Sequence, residues 1–236
     1  MGSSCLEYYS FNLESKQFCL QHRTAVCYFS TCYTELYKKQ QQEEETLLGK
    51  HKKPSAADKV LLRHLKSFLH DGIYSDVQFV ITGEKISGHT LIIKEGSPVL
   101  AAMFQNDMTE ASSRTVIIND VEPIVFRQLL CYLYTGEALE VKDDGMETEP
   151  FFIAADKYGV DSLKDWCGAV MSKKLKVDNA MRFLVLAHLH SAKKLEENCI
   201  CFIVRNKSVF WQQPEFKQLG ENYFKLFFDI TRRMNV

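Results

Sequence analysis

The sequence predicts a mixed α/β (α+β) fold: a small sheet flanked by helices, followed by an all-α extension. Short apolar or β-branched runs at 76–82 and 115–118 carry the strand signal. Segments of helical period separate and follow them, and from residue 178 onward the recurrences are helical.

Ser55 follows Pro54 and suits the N-cap of a helix. Leu61, Leu62, Leu65, Phe68 and Leu69 then recur at i, i+1, i+4, i+7 and i+8, one apolar face of a helix over 58–69. Asp71-Gly72 stops that helix. Val77, Phe79 and Ile81 alternate with Gln78 and Val80, so 76–82 reads as a strand, with a turn at Gly83-Glu84 and a short return strand at 85–87. Helical stretches are expected around 89–94 and 98–103, and Thr115 to Ile118 as a buried strand. Pro123 suits the first turn of a helix to about Tyr134, with Val125, Phe126, Leu129, Leu130 and Leu133 on its buried face and Gly136 at its end. A further strand is expected at 137–141 and an acidic loop at 142–149, then helices at 151–158 and 162–175. Asp178 and Ser191 are read as caps of a helical hairpin, 178–190 and 191–205, and 222–233 as a last helix. These elements divide the chain into residues 1–54, an unassigned segment with a charged linker; 55–175, the α/β domain; and 176–236, the helical extension.

Composition limits the function. Lys plus Arg (29) nearly balance Asp plus Glu (30), so no global field draws the chain to nucleic acid or an anionic membrane. The one dense basic run, Lys50 to Lys53, reads as a solvated spacer. No apolar run reaches about 18 residues, the minimum for a spanning helix. The N-terminus lacks a signal peptide's pattern, and Leu6 stands where a myristoylation motif wants Ser or Thr. The expectation is an intracellular protein of the nucleus or cytoplasm, with its eight cysteines as reduced thiols.

No catalytic constellation emerges: no phosphate-cradling Gly-rich loop, nucleophile elbow or HExxH. His188 and His190 are two apart, hence on different faces of a helix. Cys27 and Cys32 have zinc-like spacing but lack a matching second pair. No catalytic residue, metal or cofactor is predicted. A cysteine-dependent enzyme would require a partly exposed thiol of depressed pKa.

Three ordered segments identify a family. The first is Ser75-Asp76-Val77-Gln78-Phe79-Val80-Ile81, then His89, then Gly96-Ser97-Pro98-Val99-Leu100-Ala101-Ala102-Met103-Phe104. The second runs from Asn119-Asp120-Val121-Glu122-Pro123 through Tyr132-Leu133-Tyr134-Thr135-Gly136, and the third is Ala154-Ala155-Asp156-Lys157-Tyr158. Together they resemble a BTB/POZ domain, most closely that of the speckle-type POZ proteins, over roughly residues 61–195. The hairpin after residue 178 resembles the start of a BACK extension. Thr90, where the family usually has Lys, and Lys94-Glu95-Gly96, where it has a small apolar run, depart from the pattern. Speckle-type proteins also carry an N-terminal MATH domain that holds substrates, and residues 1–54 are too few for that sandwich.

The resemblance implies a non-enzymatic adaptor that joins an unidentified substrate protein to a cullin-3 ubiquitin ligase. The alternative is a dimerising scaffold in transcription with no ligase role. It implies a dimer, with itself or related BTB proteins, through Leu61, Leu62, Leu65, Phe68 and Leu69. It implies a cullin-binding loop in which Phe104 anchors the base and Met108-Thr109-Glu110 gives the hydrophobic-x-Glu pattern. Met108 suits a shallow apolar groove, and Glu110 can fix register at the rim. His89 is expected to be scaffold, fixing a turn by hydrogen bonding.

Overall fold

The computed structural model describes residues 55–104, 113–138 and 148–234. Its first element is helix α1, Ala56–Asp71. The Ser55 hydroxyl accepts from the Asp58 amide at 3.2 Å, and the Asp58 carboxylate accepts from the Ser55 amide at 2.9 Å, a reciprocal capping box. Gly72, at φ +63°, closes the helix by donating its N–H to the Phe68 carbonyl. Such a left-handed C-terminal position is where glycine is cheapest.

Strands β1 (Val77–Ile81) and β2 (Glu84–Gly88) form an antiparallel hairpin in which Val77 faces Gly88 and Ile81 faces Glu84. Thr82 and Gly83 both take positive φ, as a two-residue hairpin turn requires. The chain then crosses over through α2 (Thr90–Gly96) and α3 (Pro98–Met103) to β3 (Thr115–Ile118), which pairs parallel to β1. The order is β2-β1-β3.

β3 differs from expectation. Val116 and Ile118 are buried, but Ile117 is 68% exposed. The strand lies at an edge with one face covered, so alternate residues face outward. No strand includes residues 137–138, and the rest of the strand expected at 137–141 lies outside the described residues.

Helix α4 (Pro123–Thr135) covers the sheet with Val125, Phe126, Leu129, Leu130 and Tyr134. Leu133 is only half-buried; it packs beside Gly96, where an added Cβ would come within 2.8 Å of its Cδ2. Helices α5 (Glu149–Lys157) and α6 (Asp161–Lys173) complete this core. Rings of Phe79, Phe126 and Tyr158 pack in series, with centroids 4.9 and 5.7 Å apart. The Ser97 hydroxyl donates to the Tyr158 carbonyl at 2.6 Å. Gly159 takes φ +68° against Pro98, where a Cβ would lie 2.9 Å from Cγ. The three sequence segments thus meet in one core.

The extension is α7 (Ala180–Leu189), α8 (Lys193–Arg205), the single turn α9 (Lys207–Phe210), α10 (Pro214–Asn222) and α11 (Phe224–Met234). The caps differ from expectation. Asn179, one residue past Asp178, holds the N-cap of α7; its side chain accepts from Lys176 N–H and donates to the Lys174 carbonyl. Ser191 turns the chain at φ +54° and leaves the α8 N-cap to Ala192. Helix α10 is an element the sequence reading lacks, and its Phe216 and Leu219 are buried.

Candidate interaction surfaces

Helix α1 has no buried residue, although it is amphipathic. Its apolar positions split into two parallel stripes one residue apart. Leu62, Leu65 and Leu69, at i, i+3 and i+7, are half-buried, and Leu65 and Leu69 pack against the chain's own core. Leu61 and Phe68, at i and i+7, stand 59% and 39% exposed. The five residues predicted for a dimer interface therefore occupy two edges of one helix, the outer edge more exposed than the inner.

The outer edge extends beyond the predicted set. The Phe68 ring meets His89 edge-on at 6.1 Å, and His89 Nε2 donates to the Ile73 carbonyl at 2.8 Å. Val60, Ile73, Tyr74 and Leu91 are also exposed, and Tyr74 holds φ +62° in the turn before β1. Sequence reasoning left these four out. The available signal was Ile73-Tyr74 itself, two apolar residues in a helix-to-strand turn, where polar residues are usual.

His89 is a hydrogen-bond hub. With Nε2 donating to Ile73, Nδ1 accepts from the Tyr134 hydroxyl at 2.7 Å, and that same hydroxyl accepts from the His89 backbone N–H at 2.9 Å. Burial pushes the Tyr134 phenol up to about 12. Next to it the Asp76 carboxylate accepts from the Thr90 amide at 2.7 Å and from the Thr90 hydroxyl. Burial raises the Asp76 pKa, but these bonds outweigh it and leave the carboxyl below its ordinary value. The scaffold role expected for His89 holds, since both ring nitrogens and its backbone N–H are spent on the turn and on α4, while its carbonyl accepts from Ile92 and Ile93 N–H in α2.

Phe104 ends α3 and is buried at 5% exposure, with the Lys94 ammonium 5.6 Å from its ring centroid. Met108 and Glu110 lie outside the described residues. Cys167, Cys199 and Cys201 are buried, and burial pushes their thiols upward, Cys167 and Cys201 to about 12. That is the opposite of an activated nucleophile. Among the described residues no group of His, Cys, Asp or Glu is placed to hold a metal, and no helix is long and apolar enough to cross a membrane.

The BTB/POZ domain family model matches residues 65–175. This chain carries a BTB/POZ domain. The exposed edge of α1, the His89 hub and Phe104 all lie within or beside the matched region. Mouse TD and POZ domain-containing protein 5 is 31% identical over 164 residues, 70% of this chain and 48% of that protein. Mouse TD and POZ domain-containing protein 1 is 31% identical over 164 residues, 70% of this chain and 45% of that protein. The chain spans about half the length of the curated relatives it matches. The BTB domain of human gigaxonin is 24% identical, covering 49% of this chain and 91% of that one at a TM-score of 0.39. The BTB domain of zebrafish PATZ1 is 19% identical, covering 52% and 98% at a TM-score of 0.41. A BTB/POZ domain is a protein-interaction module.

Proposed function

We propose that this BTB/POZ chain is a dimeric adaptor of the kind found in the speckle-type POZ family. In this reading it links a substrate protein to a cullin-3 RING ubiquitin ligase, in the nucleus or cytoplasm, for ubiquitination and proteasomal degradation. The observation that carries the reading is the divided face of α1. One stripe is satisfied by the chain's own core, and the other leaves Leu61 and Phe68 in water beside exposed Ile73 and Tyr74. A contiguous apolar edge of this kind marks an interaction site. Closed twofold pairing with a second copy or a related BTB chain would bury it symmetrically.

For cullin-3, the support is local. Phe104 is buried at the end of α3, where the reading puts an aromatic anchor. Met108 would then supply an apolar contact and Glu110 a register-fixing charge. Calorimetry against a cullin-3 N-terminal fragment tests this. Met108→Ala with Glu110→Ala should weaken binding roughly thirtyfold, or about 2 kcal/mol, as a hot-spot pair does. Unchanged affinity in the double variant would make the motif match accidental. No binding by the parent would leave a BTB chain without a ligase role.

A further inference from the structure

The last helix, α11, is apolar on both sides. Leu226, Ile230 and Met234 are buried where it packs on α8 and α10. Arg233 fastens the same side, reaching Glu197 of α8 at 2.6 Å and Asp229 at 3.1 Å. The Phe227 ring packs on Phe216 at 5.1 Å and over Gly220. The helix is therefore held with one face to water. That face carries Phe224, 70% exposed, and Phe228, 56% exposed, with their rings stacked at 6.3 Å. Exposed Lys225 and Arg232 run beside them. A stacked aromatic pair left in water marks an interaction site.

These positions follow a heptad. Phe224, Phe228 and Thr231 fall at d, a and d, and Lys225 and Arg232, seven apart, both fall at e. The Thr231 hydroxyl donates to the Phe227 and Phe228 carbonyls at 3.0 Å, so it is already spent on the helix's own backbone. The two cations have no carboxylate of their own among the described residues. Asp229 and Glu197 are both taken by Arg233. Glu221, four residues before Lys225 but on α10 beyond the break at Tyr223, forms no ion pair with it.

We infer that this face of α11 takes an acidic amphipathic helix of a partner protein, apolar at its own a and d positions and carrying Glu or Asp at e or g. The aromatic seam supplies the apolar contact, and the unpaired cations select the sign of the flanking charge. A second copy of this chain fits poorly. Twofold pairing sets e against e, cation on cation, or e against g, where Phe227 offers no charge. A membrane fits poorly too. The inner face of α11 is already packed, so only two rings could enter, whereas helices that lie on membranes bury a wide apolar face.

The test uses the full chain and a labelled peptide, two copies of Glu-Leu-Ala-Ala-Leu-Glu-Ala, read by fluorescence anisotropy. Leu stands at a and d, and Glu at e and g. Saturable binding is expected below about 1 mM, weakened roughly fivefold when Gln replaces Glu and at least about tenfold by Phe224→Ala with Phe228→Ala. The deciding variant is Lys225→Glu with Arg232→Glu. It should lose the Glu peptide and gain the matching Lys peptide, a reversal that damage to the fold cannot produce. No saturable binding by the parent, equal binding of the Glu and Lys peptides, or a charge-reversed variant that keeps the parent's preference overturns the proposal. So does a Phe224 and Phe228 double variant that lowers the chain's own sedimentation coefficient, which would assign the face to a second copy. A parent that ignores the peptide but pellets with phosphatidylserine vesicles through Phe224 and Phe228 also overturns it, and assigns the face to a membrane.

Discussion

Replacing Leu61 and Phe68 together with Ala should separate the dimer while leaving the monomer folded. The magnitude follows from exposure. Fully burying a large apolar side chain is worth ~1.5–3 kcal/mol, so hiding the exposed 59% of Leu61 and 39% of Phe68 is worth ~1.5–3 kcal/mol per protomer. A twofold interface counts this twice, ~3–6 kcal/mol, and the lower figure already corresponds to a roughly hundredfold rise in dimer Kd. The fold should be nearly indifferent, because neither residue belongs to the buried core. Surface substitutions of this kind stay within about 0.5 kcal/mol of the parent. Leu65 offers a contrast. It packs on the chain's own core, so Leu65→Asp would damage the monomer and the dimer together. Sedimentation velocity over a concentration series reads the dimer Kd, and a thermal melt reads the fold. A parent already monomeric at high micromolar concentration, or a double variant with the parent's dimer Kd, refutes the reasoning.

Two further outcomes follow from the buried polar groups. Tyr134→Phe removes the hydroxyl that serves both the His89 N–H and Nδ1. Leaving them unpaired should cost about 1–3 kcal/mol in a denaturant melt, and a loss under about 0.5 kcal/mol would show that the hub is unimportant. Asp156 accepts from Lys164 at 2.5 Å and from His190 at 2.7 Å, joining α5, α6 and the end of α7. Burial raises the Asp156 pKa, but these two partners outweigh it and hold the carboxyl below its ordinary 3.8. A depressed folded-state pKa means stabilisation that is fully present above the unfolded value and lost as pH falls through the folded one. Asp156→Asn should therefore be less stable than the parent at pH 7, and the gap should close as the pH drops below 3.8. Parallel urea midpoints across that range would exclude the linkage.

Much of the fold was legible because local rules and tertiary packing agreed. Ser55 and Asp58 form the capping box their spacing permits, and Val77, Phe79 and Ile81 alternate because only one sheet face is covered. Conflicts arose where periodicity was degenerate. A stripe of Leu61, Leu62, Leu65, Phe68 and Leu69 reads as one face, and only the position of α4 decides which edge is used internally. Ile117 looked buried because β-branching marks a strand without marking its place in the sheet. Asp178 and Asn179 are both good caps, and the turn geometry that let the Asn amide both donate and accept was not visible in sequence. Helix α10 carries Gly220 in its last turn, where an added Cβ would meet the Phe227 ring at 3.4 Å, and its short apolar pair, Phe216 and Leu219, gives little periodicity to read.

Dimerisation and cullin-3 binding can be tested together in one measurement. The full chain is mixed with an N-terminal cullin-3 fragment, and the mass of the complex is read by sedimentation velocity or light scattering. A dimeric adaptor gives an assembly of two chains and two cullin fragments, reduced to one of each by Leu61→Ala with Phe68→Ala. A parent complex of one chain and one fragment would contradict the dimer, and no complex at all would contradict the ligase role.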